Sequence, residues 1–105
     1  MRLTIEHHRT KAEVVDSIDR SFNDAFQRLE GLPVKVVVKQ KTWKGSILTF
    51  VLAAKIGLLS NPIKGTIEVT DTDLTIDADL GMLNRLVPEE KARALLGHKI
   101  QGLLN

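Results

Sequence analysis

An α+β domain is what the sequence predicts: an antiparallel sheet of about five strands carrying two helices on one face. Three observations point there. Several short segments alternate apolar and polar residues with period two. Two other segments repeat their apolar residues at helical spacing. The later strands follow one another through short turn signals, which favours a meander.

Leu3, Ile5 and His7 alternate with Arg2, Thr4 and Glu6, a first strand. Thr10-Lys11-Ala12-Glu13 is a capping box, in which Thr10 and Glu13 satisfy free N–H groups. Val14, Ile18, Phe22, Ala25, Phe26 and Leu29 then form a helical stripe. Asp16, Arg20, Asp24 and Arg28 form an ion-paired stripe opposite. Gly31 and Pro33 stop that helix. Val34, Val36 and Val38 alternate with Lys35, Val37 and Lys39 in a second strand, and Lys44-Gly45 makes a hairpin turn. The third strand, about residues 46–55, is apolar on both faces: Leu48, Phe50 and Leu52 on one, Ile47, Val51 and Ala53 on the other. Residues 56–62 read as a loop by their Gly, Asn and Pro. Residues 64–70 are a fourth strand, Asp71-Thr72-Asp73 a turn, and Leu74, Ile76, Ala78 and Leu80 one face of a fifth strand. After residues 81–87, Pro88 opens a second helix with Glu89 and Glu90 in its first turn. Its apolar face is Ala92, Leu95, Leu96, Ile100, Leu103 and Leu104.

The order is β-α-β-β-β-β-α. A meander of strands two to five, with strand one returning beside strand five, gives the sheet order 1-5-4-3-2. Both helices then cover one face.

The chain has 105 residues, 43% hydrophobic and 27% charged, which suits one globular domain over 1–105. Cysteine is absent, so disulfides and thiolate metal sites are excluded. The first eight residues lack the apolar run of a signal peptide. No segment approaches the ~18 consecutive apolar residues of a transmembrane segment. A cytoplasmic location is the default expectation. The net charge of +2 is too small by itself to suggest nucleic acid.

Catalytic constellations are not apparent. His7 and His8 are adjacent, so on a strand they point to opposite faces, and His98 is remote. Asp73, Asp77 and Asp79 share a polar strand face, where a solvated row is the simple reading. No nucleophile elbow and no phosphate-cradling glycine loop occurs. No catalytic residue, metal ligand or cofactor is expected, and the chain reads as non-enzymatic.

Two surface features remain. Lys35, Lys39 and Lys41, placed on the outer face of the second strand with Trp43 and Lys44 beyond, could hold a nucleic-acid backbone and stack one base. The favoured reading is that these lysines guard an edge strand against aggregation, so nucleic acid is not the expected partner. Ile56, Leu58 and Leu59 in one loop, and Met82, Leu83, Leu86 and Val87 in another segment, either cap the core or form an exposed patch.

The pattern resembles a family of small proteins encoded with polyhydroxyalkanoate genes, the polyhydroxyalkanoic acid system or granule-region family. The likeness runs from the strand ending in His7-His8, through the capped helix with Ala12, Val15 and Ile18, to the stretch Trp43-Lys44-Gly45-Ser46-Ile47-Leu48-Thr49-Phe50. That stretch looks like the family's W-x-G/D-x-L-x-F hairpin. Lys64-Gly65-Thr66-Ile67-Glu68-Val69 and Leu80-Gly81-Met82-Leu83 continue it. The resemblance implies an accessory role at a polyester granule, or on a granule-associated protein, and no catalytic residues. A small apolar-ligand carrier of helix-grip type is the alternative, by analogy of architecture. Val37, Ile47, Val51 and Ala53 on the uncovered sheet face, together with Leu58, Leu59, Met82 and Leu83, are the expected interaction surface. A homodimer through the open sheet face is expected from the first four.

Overall fold

A computed structural model describes residues 1–27, 35–81, 85 and 88–104. Expectations on Arg28, Leu29, Gly31, Pro33, Val34, Met82, Leu83, Leu86 and Val87, and on the side chains of Ala25, Phe26 and Leu103, lie outside the described residues. The elements are β1 (Arg2–Glu6), α1 (Lys11–Gln27), β2 (Lys35–Lys44), β3 (Ile47–Ile56), β4 (Leu59–Val69), β5 (Asp73–Asp79) and α2 (Glu89–Leu104). The sheet is antiparallel throughout, with the order β1-β5-β4-β3-β2, as the alternation and short turns predict.

Local chemistry accounts for the element ends. Thr10 Oγ1 accepts from the Glu13 N–H at 3.1 Å, and Glu13 Oε1 accepts from the Thr10 N–H at 3.1 Å. This closes the capping box that starts α1. The Thr10 N–H and then the Thr10 hydroxyl, both donating to Glu13 Oε1, hold the Glu13 carboxyl below its ordinary range, with Arg9 adding to the effect. The β2–β3 and β3–β4 connections are both two-residue turns, Gly45-Ser46 and Gly57-Leu58. Their glycines have φ +60° and +59° at the first turn position, while no non-glycine residue among those described has positive φ. That is the type II′ arrangement, whose twist matches that of the flanking strands.

The core lies between the sheet and the helices. Val14, Ile18 and Phe22 of α1 and Ala92, Leu96, Ile100 and Leu104 of α2 pack on Leu48, Phe50, Leu52, Ile67, Leu74 and Ile76. The Phe22 and Phe50 rings are tilted at 54° with centroids 5.4 Å apart, a favoured aromatic geometry. Gly65 sits opposite Phe50 on one side and Ala78 on the other. A Cβ there would lie 2.6 Å from both Phe50 Cζ and the Asp77 carbonyl oxygen. The missing side chain is what lets the Phe50 ring lie over β4.

Two expectations need correction. Residues 56–62 are not a loop. β3 runs to Ile56, the chain reverses in two residues, and Leu59, Asn61 and Pro62 belong to β4. The Asn61 amide is buried and donates from Nδ2 to the Leu80 carbonyl at 2.9 Å, so a residue typical of turns is satisfied inside a strand. Pro62 pairs with Ala53 on one side and lies where β4 outruns β5, an edge position that tolerates its missing N–H.

The second correction concerns β2. Lys35, Lys39 and Lys41 do not share a face. The β2–β3 register steps from Val38↔Leu52 to Gln40↔Val51, leaving Lys39 as a bulge. One extra residue exchanges the faces beyond it. Lys41 therefore pairs with Phe50, and Trp43 with Leu48, both on the helix side.

Candidate functional site

Three groups of side chains stand out, and the structure does not bring all the sequence candidates together. The first is a clip under α1. Lys41 Nζ lies 3.0 Å from Asp19 Oδ1 and donates to the Asp19 carbonyl at 2.9 Å. Trp43 Nε1 donates to Asp19 Oδ1 at 3.0 Å. Lys41 also sits over the Phe22 ring, 5.9 Å from its centroid. Asp19 thus ties the helix to the far half of β2, a role that no local pattern in the sequence signals. The would-be stacking platform of Trp43 and Lys41 is spent on this contact. Lys35, Lys39 and Lys44 stay exposed but separated.

The bond from Lys41 to its Oδ1, then that from Trp43, hold the Asp19 carboxyl below the ordinary carboxylate range. Because the folded pKa lies below the unfolded one, the clip stabilises the fold above the unfolded value, and that contribution is lost as pH falls through the folded value. The pair is substantially exposed, so solvent screens it, and Asp19→Asn should cost less than ~1 kcal/mol near neutral pH. The urea midpoints of wild type and Asp19→Asn should differ above about pH 5 and converge in acid. Emission from Trp43, the sole tryptophan, should shift with the substitution. A gap independent of pH down to the acid limit would rule this account out.

The second group is the open face of the sheet. Val37 lies beside Ala53, and Gln40 beside Val51. Lys64 lies between Val51 and Asp79, and Ile47 between Lys44 and Glu68. Of the four apolar residues expected to form an exposed patch, Ala53 is 6% exposed, Val37 and Val51 are half-buried, and Ile47 is 41% exposed. The surrounding Lys, Gln and Thr stems narrow the patch.

The third group is the tip of the β3–β4 hairpin. Leu58 is as exposed as in a free peptide (105%), and Leu59 is 61% exposed. Ile56, by contrast, turns in and packs against the core. Leu58 and Leu59 therefore do not cap the core. The β3–β4 ladder extends to Ile56↔Leu59, whereas β5 pairs with β4 only from Lys64 onward, so the tip projects past the β5 side of the sheet.

The histidines form no joint site. His7 is buried, with Nε2 2.8 Å from the Thr70 carbonyl oxygen and Nδ1 accepting from the Arg9 N–H at 3.3 Å. Those contacts require the tautomer protonated at Nε2, which donates to Thr70. His8 is exposed beside it. Among the described residues no three His, Asp or Glu side chains gather as metal ligands, and no helix is long and apolar enough to cross a membrane.

Compared with family models, curated proteins and solved structures, the chain finds no match.

Proposed function

We propose that the protein is a non-enzymatic accessory factor of polyhydroxyalkanoate metabolism that works by binding, at the surface of the polyester granule or on a granule protein. The observation that carries this reading is the pair Leu58 and Leu59, held out to solvent at the end of a paired hairpin. An apolar side chain kept in water forgoes ~1.5–3 kcal/mol of burial, and two adjacent ones at a projecting tip mark a contact surface. The resemblance supplies the granule, and its Trp43, Leu48 and Phe50 fall on the framework side of the β2–β3 hairpin.

Alternative readings have less support. A helix-grip carrier needs room between α1 and the sheet, where Ile18, Phe22, Leu48, Phe50, Ile67 and Ile76 are closed on one another. Self-association through the open sheet face has Ile47 as its one well-exposed large apolar side chain among the described residues. Fractionation of cells that accumulate the polymer tests the proposal. The tagged protein should sediment with the granules or capture a granule protein. A protein confined to the soluble fraction, with no granule protein in pull-downs, refutes it.

A further inference from the structure

We propose that the β3–β4 hairpin tip is an interfacial anchor for anionic lipid, with Leu58 and Leu59 entering the apolar layer and Lys35 and Lys55 meeting the headgroups. This rests on the surface-binding reading above and gives it an element and a ligand chemistry. The arm beyond β5 consists of residues 35–38, 52–56 and 59–63, closed by the Gly57-Leu58 turn. Lys35 and Lys55 are its only charged residues. They are direct cross-strand partners, both exposed, and neither meets a carboxylate among the described residues. Like charges placed opposite each other repel, and an anionic surface would relieve that repulsion.

The dimensions agree with shallow insertion. Lys55 lies about two residues behind the turn, or ~7 Å at the strand rise. Interfacial elements bury their apolar face ~5–10 Å into the headgroup boundary. With the leucines at that depth, the lysine stems can reach back to the phosphates. A convex two-leucine tip is small beside the ~800 Å² per partner of a standard protein interface. Lipid insertion needs no shaped counterpart, and each lysine near an anionic surface adds attraction independently.

Co-sedimentation of the intact protein with large unilamellar vesicles tests this. One set is phosphatidylcholine alone, the other equal parts phosphatidylcholine and phosphatidylglycerol. The wild type should bind the mixed vesicles more strongly, and binding should weaken with salt. Leu58→Asp with Leu59→Asp should lower the partition coefficient by at least about tenfold. Lys35→Glu with Lys55→Glu should bring binding to mixed vesicles down to that on phosphatidylcholine alone. Ile47→Asp, at the opposite end of the β3–β4 ladder, should bind as wild type. An unchanged Trp43 emission spectrum would establish that each variant is folded. A wild type left in the supernatant with both vesicle types, or a tip variant that binds normally, overturns the anchor. So does granule association that survives the tip substitutions and requires a granule protein. Granule association without vesicle binding would reject the anchor and leave the granule role standing. Tip-dependent vesicle binding without granule association would do the reverse.

Discussion

Phe50→Ala should lower the stability of the fold by about 3–5 kcal/mol. Phe50 is among the largest fully buried side chains, and it faces three elements at once. It stacks on Phe22 from α1, covers Gly65 of β4, and pairs across the ladder with Lys41 of β2. Truncation opens a cavity where helix and sheet meet, and the Phe22 ring loses its contact with Phe50. Domains of this size gain or lose roughly 4–8 °C in Tm per kcal/mol, so a fall of roughly 12 °C or more is expected. The total stability of ordinary domains is only ~5–15 kcal/mol, so this one residue holds a large share. Thermal and urea unfolding measure it directly. A loss under ~1 kcal/mol would mean that the helix does not rest on Phe50.

Gly65→Ala should be destabilising by about 1–3 kcal/mol, the range of core overpacking. The sign is the informative part. Alanine in place of glycine in an unobstructed strand interior gains about 0.5–1 kcal/mol. Here the new Cβ would meet Phe50 Cζ and the Asp77 carbonyl oxygen, both at 2.6 Å, and the Ala78 Cα at 3.1 Å. The ring can turn away, but the carbonyl is fixed in the β4–β5 ladder. Phe50→Leu, which withdraws the Cζ contact, should recover part of the loss in a double-mutant cycle. A neutral or stabilising Gly65→Ala in urea unfolding would contradict the close approach.

Strand alternation, the Thr10–Glu13 box and the short turns were enough to place every strand in the sheet. These are local signals, with period two or within one helical turn. What escaped them is of two kinds. The bulge at Lys39 has no signature, since Val38-Lys39-Gln40-Lys41 alternates as well one way as the other. The faces are distinguished by Trp43, which packs against the core, and by Asp19, 22 residues away from Lys41. The hairpin tip failed for the opposite reason. Gly57, Asn61 and Pro62 are all turn formers, and their composition outweighed Ile56 and Ile63, which flank them on the core side. A buried carbonyl partner for Asn61, at Leu80, is a tertiary fact. The candidate contact residues Leu58 and Leu59 were visible as apolar residues out of place; their projection was not, because it depends on where β5 stops.

The sheet order also has a consequence in the time domain of synthesis. Successive strands of the meander pair with what was made just before them, while β1 waits. Thr4 meets Thr75, 71 positions further along the chain, so β1 is complete long before its partner exists. Until β5 emerges, the β1 segment has no sheet partner. It is only five residues long, and Arg2, Thr4 and Glu6 make one face polar. Shortness and charge are the features that keep an unpaired strand from seeking the wrong neighbour. The segment with the longest wait thus carries both features.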